Sequence, residues 1–466
     1  MSMHNGNDPK LPPTPGIPKD VTFPDYHELV LGNGLRVLVH AQRTLPLVNM
    51  NLVLRGGSSH DSALAGLASM TGEMLIKGTP GRSAQDIVEA IEGRGGSIGS
   101  GAGWDSISIG ITHLSRHTAH AMDVLADVAR QPAFQEEELQ RMREQRLADI
   151  LQEKSSPGVL AWQRFCAALY GAHPYGLPQD GDEHSVEHMT VSDLRRVHAE
   201  RFHPGNAFLL VVGDADPDEV LRLAEQQFGD WPIRDAAMDG ETIPAAAEER
   251  VVQVVDRPNA VQTSVVVGHG GISRTSEDYI AVSVMNTLFG GYFGSRLNLN
   301  LREDKGYTYG AHSRFDARRH AGPFAAGAEV RSEITDLAIE EMLREMHRLR
   351  EEPVSPEELE HVQRYVTGSF PLQIETPTQV AQRIIAIELY GLGKTWYNRF
   401  NSSVMALTPE RIQETAQRYL HPDTAAIVVS GRGQQLRNTL ERFGAVQVYD
   451  TDGAIIPDVS PLAQDL

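Results

Sequence analysis

The chain has 466 residues, a formal net charge of −20 and 41% hydrophobic residues. This length predicts several domains of about 100–200 residues each, and the apolar content is typical of globular proteins. The negative charge argues against a protein that binds nucleic acid or an anionic membrane surface, because phosphate groups would be repelled. The sequence also lacks a run of about 18 apolar residues, which a membrane-spanning helix needs.

The first 21 residues are rich in proline and predict a flexible, extended arm. They lack the basic segment followed by an apolar segment that marks a secretory signal peptide. A cytoplasmic location is therefore expected for the chain as written, and a periplasmic one if a signal peptide has been removed. The single cysteine, Cys166, has no partner for an internal disulfide and is predicted to be an inert buried thiol.

In chain order, the first predicted element is a β-hairpin over 27–40, because Asn33-Gly34 separates two apolar runs. A further strand is predicted at 47–54 and a helix over 62–77 that ends at Gly78. The next helix begins at Ser83, which forms a capping-box pair with Asp86. A strand at 106–112 and helices at about 117–130 and 135–153 follow from the same periodicity.

The second part of the chain repeats the first. His203-Pro204 is followed by AFLLVVG, and His421-Pro422 is followed at the same spacing by AAIVVSG. A repeat this long indicates a duplicated domain, since solenoid repeats are about 20–50 residues long. The predicted organisation is an arm and two halves, joined by a linker and followed by a tail: 1–21, 22–234, 235–249, 250–450 and 451–466.

Strands joined by hairpins and accompanied by amphipathic helices predict an α+β fold. Each of the two homologous halves is expected to be an antiparallel sheet with helices packed on one face. The halves are expected to face each other across a cleft, which is a common place for a binding site.

The segment GLASMTGEMLIKGT, residues 66–79, resembles the signature helix of the pitrilysin and mitochondrial processing peptidase family of inverted-zincin metallopeptidases. In that family the helix carries His-x-x-Glu-His, which provides two zinc ligands and the glutamate that activates water. The matching positions here are Ser69, Gly72 and Glu73. The family's third ligand, a glutamate on a later helix, matches Asp149. The resemblance therefore implies a degenerate zinc motif and no metal in this chain.

The most specific match is FGGYFGSRLNLNLREDKGYTYGAHS, residues 289–313. In the family, an arginine and a tyrosine of this region reach toward the zinc site, hold the substrate backbone and stabilise the oxyanion. The resemblance implies these catalytic roles for Arg302 and Tyr309. It also implies a substrate-binding loop formed by Phe289, Gly290 and Gly291.

The residues alone leave alternatives open in this region. A strand predicted over 307–312 would put Tyr307 and Tyr309 on one face, so either hydroxyl could be the functional one. Arg302 could be an interdomain contact and the tyrosine a core residue, and Phe289 to Gly291 could be only a helix cap.

Two further motifs have structural interpretations. The glycine-rich run 94–103 lacks the lysine of a phosphate-binding loop and predicts a sheet edge or loop beside the cleft. His184 to His188 reads literally as His-x-x-Glu-His. Because a new helix is predicted to start at Thr190, the segment that contains this motif can form only about one helical turn. That is too short to present two ligands on a buried face.

Taken together, the resemblance implies the non-zinc-binding subunit of a bacterial heterodimeric zinc endopeptidase, inactive alone. The expected partner is a zinc-bearing paralogous subunit, with zinc in that partner and no cofactor in this chain. The expected substrate is a peptide or an unfolded polypeptide, with no binding of nucleic acid or membrane. A purely structural or peptide-binding relative and a self-sufficient zinc metallopeptidase are the alternatives.

Overall fold

A computed structural model describes residues 21–61, 63–234, 243 and 249–457. Nearly all of the predicted arm, most of the predicted linker and the end of the predicted tail lie outside these residues. Among the described helices, none combines the length and apolar character needed to cross a bilayer.

The first half is built on a six-stranded sheet in the order β1-β2-β6-β3-β5-β4. Neighbouring strands are antiparallel except β2 and β6, which run parallel. The predicted hairpin is confirmed, with Gly34 at a φ of 86°, the left-handed region that glycine tolerates. The strands are β1 (His27–Val30), β2 (Arg36–Ala41), β3 (Leu47–Arg55), β4 (Ser97–Ala102), β5 (Ser106–Leu114) and β6 (Ala207–Gly213).

Eight α-helices belong to the described part of the first half. The capping boxes at Ser83 and Thr190 are both present, so these two predicted helix starts are confirmed. The helix at the signature segment is shorter than predicted. The helices are α1 (Leu67–Met74), α2 (Ala84–Glu92), α3 (Thr118–Arg130), α4 (Glu136–Glu153), α5 (Pro157–Tyr170), α6 (Glu183–His188), α7 (Val191–Arg201) and α8 (Pro217–Phe228).

The second half contains a corresponding sheet in the order β12-β7-β11-β8-β10-β9. Its five strands from β7 to β11 repeat the pairing directions of β2 to β6. Only the outer strand differs, since β12 runs parallel to β7 whereas β1 runs antiparallel to β2. The strands are β7 (Val252–Asp256), β8 (Gln262–Gly270), β9 (Ala311–Phe315), β10 (Pro323–Arg331), β11 (Ala426–Gly431) and β12 (Val446–Tyr449).

The helices of the second half complete an α+β fold of two related halves, as predicted. Two π-helical turns, Thr287–Gly291 and Leu299–Asp304, flank the short α10. The helices are α9 (Tyr279–Asn286), α10 (Arg296–Asn298), α11 (Thr335–Glu351), α12 (Pro356–Ser369), α13 (Pro377–Tyr390), α14 (Phe400–Met405), α15 (Pro409–Tyr419) and α16 (Gly433–Leu440).

Each half covers the second face of the other half's sheet with one helix, which the sequence did not predict. Helix α5 packs on β8 and β11, where Phe165 and Cys166 share an apolar cluster with Val428. Helix α13 packs on β3 and β6, where Ile384 shares a cluster with Phe208. Both sheets are therefore buried on both faces, and the two halves depend on each other for part of their cores.

Polar contacts at the β4–β5 turn also join the halves. The buried carboxylate of Asp105 accepts hydrogen bonds from the Tyr390 hydroxyl at 2.8 Å and the Arg319 backbone N–H at 3.0 Å. The Arg318 guanidinium lies 3.9 Å from the ring centroid of Trp104 and 4.4 Å from that of Tyr175. This junction fixes one loop of the second half against the first.

Candidate functional site

The face of α1 that would carry a zinc motif is occupied by hydrogen bonds and an ion pair. The buried Ser69 donates from Oγ to Asp180 Oδ1 at 2.7 Å. Glu73 accepts from Arg146 Nη2 at 2.6 Å. Arg146 Nη1 also donates to the Asp180 carbonyl at 2.8 Å and lies 3.2 Å from its carboxylate. These four side chains form one connected network that runs from Ser69 through Asp180 and Arg146 to Glu73.

The charge at the centre of this network is that of the Arg146 guanidinium. Burial lowers the pKa of Arg146, but the carboxylates of Glu73 and Asp180 outweigh burial and leave the pKa above its ordinary value. The group therefore stays protonated. A fixed positive charge next to Glu73 opposes the binding of a divalent cation there.

Gly72, at the position of the family's general base, has no space for a side chain. A Cβ at this residue would lie 2.7 Å from the carbonyl carbon and 2.8 Å from the Cα of Gly101 in β4. Both are backbone atoms, so a glutamate would require the strand to move. The helix and the edge strand are thus packed in a way that only glycine permits.

Asp149, the predicted counterpart of the third ligand, is not brought to this network. It lies on the exposed side of α4 and accepts a hydrogen bond from Gln145 Nε2 at 2.9 Å. Arg146, on the same helix, faces Glu73 instead. Sequence reasoning missed Arg146 and Asp180, because neither stands at a family motif position and only the fold brings the loop of Asp180 to α1.

The residues at α1 do not fit zinc. A serine hydroxyl is a poor ligand compared with imidazole or thiolate, and Glu73 is already paired with a cation. Within the described ranges, no three His, Cys, Asp or Glu side chains are grouped so that they could hold a metal ion.

The literal motif at His184 and His188 lies on α6, a helix of only six residues. This agrees with the prediction that the segment holding the motif is short. Both rings are exposed, with centroids 4.3 Å apart. His188 Nδ1 donates to the His184 carbonyl at 2.7 Å, within the same helix. The pair has a local structural explanation.

Arg302 and Tyr309 are arranged differently from the α1 residues. Arg302 lies in the π-helical turn Leu299–Asp304, with its guanidinium carbon 4.3 Å from the centroid of the Phe293 ring and Nη1 3.4 Å from Glu303 Oε1. Tyr309 is 94% exposed. Both side chains line an open groove of about 1000 Å³.

The predicted strand over 307–312 is wrong at its start, because β9 begins at Ala311. Gly306, at a φ of 63°, ends the turn, and residues 307–310 form a loop. Tyr307 packs partly buried against the second core, and its backbone N–H donates to the Leu301 carbonyl at 2.8 Å. The two tyrosines therefore do not share a strand face, and Tyr309 presents the more exposed hydroxyl.

The predicted substrate loop is largely internal. Phe289 is fully buried, with its ring centroid 6.0 Å from that of Phe324. A Cβ at Gly290 would lie 2.5 Å from Ser313 Oγ, so this glycine permits the π-helical turn to pack on β9. Gly291 is exposed. Of the three, only Gly291 is open to a ligand in this conformation.

The two candidate regions do not share a cavity. A cavity of about 240 Å³ between the halves is lined by Arg146 and Asp180 together with Trp104 and Arg318. No lining residue is common to this cavity and the groove of Arg302. Helix α5 contributes to both, with Pro157 on the groove and Trp162 on the cavity. The glycine-rich run contributes β4, which is an edge strand, as expected.

Two models of one peptidase family match the chain. Residues 36–181 match the model described as insulinase (peptidase family M16), and residues 188–366 match the peptidase M16 inactive domain. An uncharacterized zinc protease of Bacillus subtilis is 24% identical over 404 residues, which are 86% of this chain and 97% of that protein. Another, of Mycobacterium leprae, is 28% identical over 64% of this chain and 67% of that protein.

Solved structures agree with this relationship. A crystal structure of a peptidase M16 inactive domain from Pseudomonas fluorescens has a TM-score of 0.83 and 29% identity, covering 88% of this chain and 98% of that one. A protease from Helicobacter pylori has the same fold, with a TM-score of 0.79, 19% identity and coverage of 88% and 100%. From its two matched segments and its fold, the chain belongs to the peptidase M16 family.

Proposed function

We propose that this chain is the non-zinc-binding subunit of a heterodimeric zinc endopeptidase, and that it supplies Arg302 and Tyr309 to the active site of a zinc-bearing paralogue. The observation that carries the proposal is the contrast within one chain. The helix position that would hold zinc is closed by Arg146, whereas Arg302 and Tyr309 remain accessible in an open groove. The proposal includes no metal chemistry in this chain.

The chemical role of Tyr309 follows from its exposure. When a peptide carbonyl is attacked, negative charge develops on its oxygen, and a hydroxyl positioned beside it can donate a hydrogen bond. Tyr309 is reachable for a substrate held by another subunit, since almost all of its side chain is outside the fold. The partner's surface would then exclude water from this contact.

The role proposed for Arg302 is to hold the substrate. Its guanidinium is positioned from two sides, over the Phe293 ring and against Glu303, and it still borders the groove. The N–H groups of a guanidinium have a fixed planar geometry. They can therefore bind the carbonyl oxygens of an extended peptide and keep it in register with Tyr309. Loss of such a contact raises the Michaelis constant as well as lowering turnover.

The test is reconstitution with a zinc-bearing paralogue from the same genome, chosen for an intact His-x-x-Glu-His. Turnover of a quenched-fluorescent peptide is measured for each chain alone and for the pair, with assembly followed by size-exclusion chromatography. Cleavage only by the pair is the expected result. Full activity of an assembled pair carrying both Arg302→Ala and Tyr309→Phe would leave a structural role, and cleavage by this chain alone would indicate a self-sufficient peptidase.

A further inference from the structure

The groove beside Arg302 has four walls from distant parts of the chain. The turn between β7 and β8 contributes Arg257 and Val261, and the end of β10 contributes Glu329 and Arg331. The loop after the π-helical turn contributes Tyr309, and the N-terminus of α5 contributes Pro157. Val261 and Tyr309 are 78% and 94% exposed, so the rim offers apolar surface to a bound chain.

The charges that line the groove are unbalanced, although the chain as a whole carries −20. Three arginines and two glutamates line it: Arg257, Arg302, Arg331, Glu303 and Glu329. Glu303 pairs with Arg302. Glu329 Oε1 lies 3.6 Å from the place that a Cβ of Gly158 would take, at the N-terminus of α5, where the helix dipole favours a negative charge.

Glu303 is therefore engaged by Arg302, and two arginines, Arg257 and Arg331, stand against the single remaining carboxylate of Glu329 in the lining. Arg257 Nη2 donates to the Ser155 carbonyl at 2.9 Å, and this contact holds the side chain without neutralising it. The exposed guanidinium of Arg331 makes no ion pair with any residue that the structure describes. Two positive charges thus border an open groove without a carboxylate partner.

The groove continues past α5, which determines the form of the ligand. A second cavity of about 420 Å³ is also lined by Glu329, and it includes Gly158 and Gly310, the chain neighbours of Pro157 and Tyr309 in the first. It extends along β9 to Arg314, whose guanidinium carbon lies 5.0 Å from the centroid of the Trp162 ring. Five strand residues span about 17 Å. A lining of this length suits several residues of an extended chain.

We propose that this groove selects extended peptide segments that carry an aspartate or glutamate side chain, and that Arg257 and Arg331 bind its carboxylate. Guanidinium groups bind carboxylates with paired, charge-assisted hydrogen bonds. The inference rests on the proposed function, because Arg302 and Tyr309 would act on the same bound peptide. It adds the substrate class, which the catalytic pair does not determine.

The experiment measures binding to the intact chain without a partner, so its outcome does not depend on catalysis. Fluorescence anisotropy compares labelled ten-residue peptides that are acetylated and amidated and differ only in a central glutamate or glutamine. A third peptide has the glutamine and an unblocked C-terminal carboxylate. The glutamate peptide is expected to bind about fivefold more tightly than the other two, with the difference shrinking at high salt because exposed charges are screened.

Arg331→Gln and Arg257→Gln should each reduce this preference to about twofold or less, and Arg331→Lys should retain part of it. Arg222→Gln is the matched control, because it removes an exposed arginine from α8, away from the groove. Equal binding of the glutamate and glutamine peptides would overturn the inference, and so would an unchanged preference in Arg331→Gln. Tightest binding of the peptide with the unblocked terminus would assign the groove to chain ends. An acidic preference in a chain whose reconstituted pair cleaves nothing would reject the proposed function and retain the binding site.

Discussion

The α1 face and the Arg302 groove are the two regions that carry the family motifs. Their side chains differ in how far they are exposed and in whether they have partners within the protein. At α1 both Ser69 and Glu73 have partners inside the protein, and Gly72 lets the helix and β4 pack backbone against backbone. At the groove, Tyr309 contributes almost nothing to the core. The first region is explained by the stability of the fold, whereas the second requires something outside the chain to explain it.

The largest expected effect is on catalysis by the reconstituted pair. Tyr309→Phe should lower turnover by about 10²–10³, because one preorganised oxyanion donor is lost, while the stability of the isolated chain stays within about 0.5 kcal/mol. The measurements are peptide turnover and urea denaturation. Tyr307→Phe is the control and should change turnover less, since Tyr307 also lines the groove but is partly buried against the second core. A larger loss in Tyr307→Phe would transfer the role to that hydroxyl.

The next effect concerns the packing of α1 on β4. Gly72→Ala should destabilise the chain by about 2 kcal/mol or more, because the new Cβ meets the backbone of Gly101. Gly101→Ala is its matched control, since nothing lies within 4 Å of its Cβ position. Denaturation midpoints of the two variants give the comparison. Equal midpoints would show that the helix can move away from the strand.

The ion-pair network gives a smaller effect. Arg146→Ala should cost about 1–2 kcal/mol, because the Asp180 carbonyl and two carboxylates lose a shared donor while remaining partly solvated. Arg302→Ala should cost less than about 0.5 kcal/mol in the isolated chain. If thermal unfolding shows Arg302→Ala to be the more damaging change, Arg302 is a structural residue and the contrast between the two regions fails.

The smallest expected effect is that of added zinc on the stability of the chain. A chain whose α1 face holds a guanidinium should show no stoichiometric zinc by elemental analysis and no rise in melting temperature when zinc is added. His184→Ala and His188→Ala are included to test the exposed pair on α6. One tightly bound zinc per chain that is lost in either variant would show that this pair, not α1, is a metal site.

Local patterns predicted much of the fold. The Asn33-Gly34 hairpin, the capping boxes and the repeated strand after His203 and His421 depend on short-range chemistry and are present. The packing of α5 and α13 on the sheet of the opposite half was missed, because the sequence of an amphipathic helix does not show which sheet the helix covers. The start of β9 was missed because Gly306 and the π-helical turn delay the strand beyond the tyrosines.

The candidate site was predictable in part for the same reason. Motif spacing identified Ser69, Gly72, Glu73, Arg302 and Tyr309 as positions of interest. It could not identify Arg146 and Asp180, which meet Glu73 and Ser69 only through folding, or the burial of Phe289. Their contributions depend on contacts between segments far apart in the sequence, which no single-segment pattern contains.

Helices α5 and α13 also determine the order in which the chain can mature during synthesis. Helix α5 leaves the ribosome before either strand that buries Phe165 has been made, and the first sheet keeps an uncovered apolar face until α13 follows. Domains generally fold as the chain emerges from the ribosome. The first half, however, keeps two apolar surfaces exposed, one on α5 and one on its own sheet, until the second half has been synthesised. A nascent chain halted after residue 234 should therefore be prone to aggregate and bind chaperones, and release of the full chain should end that period.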